Sequence, residues 1–179
     1  MNILKEFCNN KNAILVGNSE KILEKDNGKL IDSYDIVIRM NYGHPTDREK
    51  QLGTRTDIWS SSNTEKRHLE SYEFFKNVPY ILFPNIRIYD KYKPIGKNIF
   101  YNDEGNYRNF IGDFKSPRPS TGAITIDYLL NTVGTLKSLT IIGFDFFNSP
   151  TFYNRKNFRV IHKTDVEQKY IEKQDLIII

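Results

Sequence analysis

Cysteine is almost absent from this 179-residue chain: Cys8 stands alone. A single cysteine excludes an internal disulfide and any cysteine-rich zinc site. No apolar run is long enough to span a bilayer, and residues 1–12 are polar and charged, without the apolar stretch of a signal peptide. These absences predict a cytoplasmic protein. Asp-x-Asp triplets are missing as well. Many nucleotide-sugar enzymes use such paired carboxylates to hold a divalent cation on a diphosphate, so their absence favours a donor with one phosphate and no metal. The three histidines, His44, His68 and His162, have no metal-ligand spacing. There is no P-loop, no dinucleotide fingerprint and no Gly-x-Ser-x-Gly elbow. The excess of 26 Lys and Arg over 22 Asp and Glu gives a net charge of +4. That favours an anionic ligand mildly. It is too little, and too dispersed, for a nucleic-acid partner.

What is present is a chain suited to one globular domain, residues 1–179, rich in Tyr (11) and Phe (12). Short apolar runs closed by turn residues predict buried strands at 13–16, 35–39, 57–60, 80–83, 139–142 and 158–161. Helical spacing covers 65–76, 123–130 and 164–173, and residues 176–179 are apolar, a final strand or the start of a longer segment. Residues 85–119 are the least regular stretch and read as a loop of the kind that covers substrates. Strands alternating with helices predict an α/β fold, a single Rossmann-like nucleotide-binding domain with a mainly parallel sheet and helices on both faces. Ligands in such folds bind beyond the carboxyl ends of the strands.

The polar clusters fall at those ends. Gly17, Asn18 and Ser19 follow the first strand, Asn41 the second, and Gly143, Phe144 and Asp145 the 139–142 strand. Asn18 and Ser19 offer hydrogen bonds to a phosphate or ribose, although a plain strand-to-helix turn has the same composition. Ser120, Thr121 and Gly122 open a helix, where outward N–H groups favour an anion; Ser120 alone also reads as a simple N-cap. His162, with Glu167 five residues on, reads as a general base with a carboxylate that orients it or places the helix, or as a surface histidine.

Four segments in order resemble glycosyltransferase family 29, the animal-type sialyltransferases. Residues 13–19 with Gly28 and residues 31–41 are similar to the family's large motif, and Gly53, Thr54, Arg55 and Thr56 to the segment after it. Residues 119–122 followed by 139–144 are similar to the small motif, and His162 with Glu167 to the very small motif, His-x-x-x-x-Glu. The resemblance implies a variant GT-A fold and a metal-independent, inverting transfer of sialic acid from CMP-sialic acid to a sugar hydroxyl of a glycan or glycolipid, the latter with peripheral membrane contact. No cofactor is implied, because the CMP-sugar is a co-substrate. It further implies that Asn18 and Asn41 contact the nucleotide, with Gly17, Ser19 and Asp145 beside them. The 120–122 segment lies against the cytidylate and the sugar carboxylate, and His162 deprotonates the acceptor. The chain departs from the family in lacking its two motif cysteines, its membrane anchor and stem, and the histidine of its third motif. Tyr153, in Phe152-Tyr153-Asn154, or Arg155 is the substitute for that histidine. Rival readings are transfer of another CMP-activated acid such as a Kdo-like sugar, a nucleotide-binding module without catalysis, and a methyltransferase.

Overall fold

The computed structural model describes residues 3–62, 66–86, 98–115, 118–154, 156 and 162–179. The chain opens with helix α1 (Ile3–Cys8) and strand β1 (Asn12–Val16). A 3-10 turn (Glu20–Glu24), α2 (Gly28–Asp32), β2 (Ile36–Met40), α3 (Glu49–Leu52) and β3 (Ile58–Ser60) follow. Then come α4 (Lys66–Phe75), β4 (Tyr80–Phe83), β5 (Asn98–Tyr101) and α5 (Glu104–Phe114). The last elements are α6 (Thr121–Asp127), a π-helical turn (Tyr128–Val133), β6 (Ser138–Ile142), α7 (Thr164–Ile171) and β7 (Ile177–Ile178).

The strands form one seven-stranded sheet in the order β5-β4-β3-β2-β1-β6-β7, and every neighbouring pair is parallel. Burial on both faces explains why β1 is an unbroken apolar run rather than an alternating one. Ala13 and Leu15 join the core beneath α1, the π turn and α7. Ile14 and Val16 pack on the other face against Ile22, Ile31 and Leu52, from the 3-10 turn, α2 and α3. Helices therefore cover both faces, as the alternating pattern predicts.

Strand order fixes where a ligand can enter. From β1 the chain steps outward to β5, then returns past β1 to add β6 on its other side. The strand order thus reverses beside β1, and in open parallel sheets ligands bind beyond the carboxyl ends of the strands at such a reversal. Gly17 and Gly143 lie side by side at that reversal.

Two sequence expectations need correction. The 85–119 stretch is not one loop, since it holds β5 and α5. Gly105 and Gly112 lower its helix propensity, yet Tyr107, Phe110 and Phe114 are buried on one side and Asp103 caps the first turn by accepting from the Asn106 N–H. The strand expected at 35–39 runs one residue later, over Ile36–Met40, after α2 has ended at Asp32. The N-terminal polar segment forms α1, whose Leu4 and Cys8 are fully buried. The expected strand at 158–161, Arg155 and the side chain of His68 lie outside the described residues. Among the described residues, no helix is long and apolar enough to cross a membrane.

Candidate active site

Tight packing at the strand ends brings the predicted residues together. The Gly17 N–H donates to the Ile142 carbonyl at 2.7 Å. A Cβ on Gly17 would sit 2.3 Å from the Gly143 carbonyl oxygen and 2.8 Å from the Phe144 ring. A Cβ on Gly122 would meet the same ring at 2.8 Å. Phe144 is thus wedged between the loop after β1 and the start of α6. The close approach that Gly17 permits is to the protein's own backbone.

Asn18 follows directly. Its Nδ2 donates to the Met40 carbonyl at 3.2 Å and reaches the Tyr153 Oη at 3.5 Å. Asn41 sits just past β2 in a left-handed conformation, φ 50°, which asparagine tolerates better than most residues. Its Nδ2 donates to Thr121 Oγ1 at 3.1 Å, its Oδ1 accepts from the Ser62 N–H at 3.0 Å, and its carbonyl accepts from the Trp59 indole at 2.9 Å. Asn41 therefore staples the ends of β2 and β3 to the start of α6.

Ser19 is buried and its hydroxyl is occupied. It accepts from the Lys21 N–H, capping the 3-10 turn, and lies 2.9 Å from the Ser149 hydroxyl. Ser149 in turn donates to the Asp145 carboxylate at 2.5 Å. Ser19 and Asp145, both predicted at the donor site, thus join the loop after β1 to the loop after β6. Backbone bonds from Glu20 N to the Pro150 carbonyl and from Phe152 N to the Asn18 carbonyl reinforce that joint.

At α6, Ser120 accepts from the Ala123 N–H as an N-cap. Its own N–H donates to Glu167 Oε2 at 3.2 Å, and its hydroxyl donates to Glu167 Oε1. Glu167 is 2% exposed. Its carboxylate holds Ser120; His162 is held elsewhere, with Nδ1 2.8 Å from the Arg118 carbonyl. A carbonyl oxygen only accepts, so Nδ1 carries a proton, and in the neutral ring Nε2 is then the atom with the free lone pair. That is the tautomer a general base needs. Glu167 and His162 together clip the segment leading into α7 onto residues 118–120. The Phe147 ring lies 4.9 Å from the imidazole, ring centre to ring centre.

Burial pushes the Glu167 carboxyl above its ordinary value of 4.5, against the two hydrogen bonds from Ser120 and the nearby His162. The folded chain then keeps a proton that the unfolded chain has already released. The resulting stability is full below 4.5 and is lost as pH rises through the raised folded value. Denaturation midpoints of Glu167→Gln should lack this dependence. At neutral pH the variant should also be weaker by about 1–3 kcal/mol, because one amide oxygen cannot accept from both Ser120 donors. Parallel pH–stability curves for variant and parent would refute the assignment.

Sequence reasoning missed an aromatic group beside Asn18. Tyr42 lies 5.5 Å from Tyr153 and 5.3 Å from His44, and His44 stacks on Phe74 at 3.7 Å with planes 4° apart. Burial, aided by Arg48, lowers the His44 pKa. A second omission was Arg39, which sits fully buried behind the site. The only signal for it was a cation inside an apolar strand. Among the described residues, no three His, Cys, Asp or Glu side chains gather to hold a metal ion.

The glycosyltransferase family 29 (sialyltransferase) model matches residues 7–88, which hold Asn18, Asn41 and Arg39. Within the chain, 46 residues are 46% identical to the mouse type 2 lactosamine alpha-2,3-sialyltransferase, and 46 are 44% identical to the human protein of that name. Each alignment covers 26% of this chain and 14% of the relative, so the chain matches only a small part of those relatives' length. A mammalian sialyltransferase crystallised with Gal-beta-1-3GalNAc-ortho-nitrophenol superposes with a TM-score of 0.62 at 18% identity, covering 98% of this chain and 71% of that one. A second mammalian sialyltransferase structure gives 0.61 at 17%, covering 95% and 69%. Over residues 7–88 this chain is similar to glycosyltransferase family 29, and its fold is that of the mammalian sialyltransferase structures. The family 29 segment accounts for the first half of the site. The α6 start, the loop after β6 and His162 lie beyond residue 88 and take their place from the fold.

Proposed function

We propose that this chain is a family 29 sialyltransferase that moves sialic acid from CMP-sialic acid to a sugar hydroxyl, with inversion and without a metal. One observation carries the reading: the predicted residues close a ring of contacts at the carboxyl edge of the sheet. Asn18 touches β2 and Tyr153, Asn41 holds Thr121, Glu167 holds Ser120, Arg118 holds His162, and Ser149 returns to Ser19. Asn18 and Asn41 hold the cytidylate from two strand ends, and His162 stands across the α6 start as the base.

In the reaction, His162 Nε2 takes the proton of the acceptor hydroxyl as its oxygen bonds to the anomeric carbon. The bond from that carbon to the phosphate oxygen breaks, and CMP leaves with the electron pair. The transition state is oxocarbenium-like, so the protein's work is to stabilise the departing phosphate and align the acceptor. In this reading Tyr153, whose Oη meets Asn18, hydrogen-bonds the departing phosphate. A glycan or glycolipid supplies the acceptor hydroxyl.

Thermal-shift measurements with CMP, UDP, GDP and S-adenosylhomocysteine, in chelator, test the donor. A ligand at ~100 times its dissociation constant adds ~2.7 kcal/mol, roughly 5–10 °C for a domain of this size. A shift with CMP alone, joined by CMP release from CMP-sialic acid when β-galactosides are added, is the expected result. A shift with UDP or S-adenosylhomocysteine instead would overturn it.

A further inference from the structure

The turn after β6 adopts a conformation that its sequence does not favour. Phe146 and Phe147 are consecutive non-glycine residues with φ 54° and 63°. L-residues enter the left-handed region reluctantly, and such strain persists only where the surroundings over-determine it. Here they do. The Asp145 carbonyl accepts from the Asn148 N–H at 3.1 Å and from its Nδ2 at 2.6 Å. The Asp145 carboxylate accepts from Ser149, which is tied to Ser19, and Phe146 packs against the main core cluster. The outcome is that the Phe147 ring is carried against the imidazole of His162, planes 33° apart.

We propose that Phe147 is a positioning residue for His162. The inference rests on the reading of His162 as the base. The bond from Nδ1 to the Arg118 carbonyl fixes the tautomer and one in-plane direction. A ring held by one hydrogen bond still swings about that line. Phe147 closes off one face of the imidazole, so the Nε2 lone pair keeps a single direction toward the acceptor. Asp145 and Ser149 act one step further back, by holding the turn that presents Phe147. A misplacement of about 1 Å can lower turnover on the order of a hundredfold, which gives the strained turn its use.

The test is Phe147→Asn, with Phe147→Tyr as the conservative partner. Asparagine enters the left-handed region readily, so the Asn variant should keep or raise the melting temperature while kcat falls about ten- to a hundredfold. KM for CMP-sialic acid should be unchanged, and the Tyr variant should retain activity. In a His162→Ala background, Phe147→Asn should lower turnover no further. Imidazole NMR relaxation supplies a readout independent of turnover: the His162 ring should be rigid in the parent and mobile in the Asn variant, with the Nδ1–H tautomer kept in both. An equal loss in the His162→Ala background, or an unchanged mobility of the His162 ring in the Asn variant, would overturn the proposal. If His162→Ala itself leaves turnover intact, the base reading fails instead, and the NMR comparison still decides whether Phe147 fixes the imidazole.

Discussion

On the proposed reading, replacing His162 by alanine is expected to lower sialyl transfer by ~10²–10⁴-fold, the range associated with losing a positioned general acid or base, while CMP binding stays as in the parent. The separation follows from where the groups sit. Asn18 and Asn41 hang on the ends of β1 and β2, and their contacts run to Met40, Tyr153, Thr121 and Ser62. His162 is held by the Arg118 carbonyl on the far side of the α6 start. Removing the imidazole leaves those asparagine contacts standing. The structure also excludes a simple repair by Glu167, because its carboxylate is buried and engaged by Ser120. Turnover and CMP affinity measured on the same preparation decide the matter. Unchanged turnover would remove His162 from the chemistry, and a parallel loss of CMP affinity would make it part of the donor site instead.

Arg39→Met should produce the largest loss of stability of any substitution considered. Arg39 has no exposed surface, although it carries a guanidinium. Its Nε donates to the Arg55 carbonyl and to Thr56 Oγ1, both at 3.0 Å, and its Nη2 donates to the Leu52 carbonyl at 2.6 Å. Burial lowers its pKa to about 10, while Asp32 and Asp57 favour the charge. Those bonds pin the loop between α3 and β3. Methionine fills similar volume but offers no donor, so buried acceptors are stranded. Hydrogen bonds to charged groups contribute ~1.5–3 kcal/mol each; with non-additivity the expected loss is about 3 kcal/mol or more, a fall in melting temperature of roughly 6–12 °C for a domain of this size. A fall under about 2 °C would show that the loop stands without Arg39. Arg39→Lys keeps the charge but not the fork of donors, and should fall between parent and methionine.

Much of the fold was legible because buried parallel strands announce themselves. The apolar runs of β1, β2, β4 and β6 and the turn residues after them gave the sheet and its functional edge. Helix α5 was not legible, since its two glycines and scattered aromatics dilute a 3.6-residue pattern that only burial of Tyr107, Phe110 and Phe114 makes plain. Strand β5 is short and partly exposed, so its composition carries little signal. In the site, Asn18, Asn41, Ser120 and His162 stood out as polar residues at strand and helix ends. The pairings of Ser19 with Ser149 and of Glu167 with Ser120 did not, because the partners lie 130 and 47 residues away in sequence and are chosen by chain crossing.

The sequence by itself determined the α/β class, the strands that build the sheet's centre, the polar groups at its carboxyl edge and the likeness to family 29. Those features are local: hydrophobic period, turn chemistry and motif spacing depend on residues near one another in the chain. Only the tertiary structure decided that β6 returns beside β1 and so joins the loops that follow the two strands. It also decided that Glu167 binds Ser120 while Arg118 sets the tautomer of His162, and that Phe147 is turned against its strain onto the imidazole. Each of these joins segments far apart in the chain, and such pairings are selected by how the buried faces and polar groups of the whole domain are satisfied together.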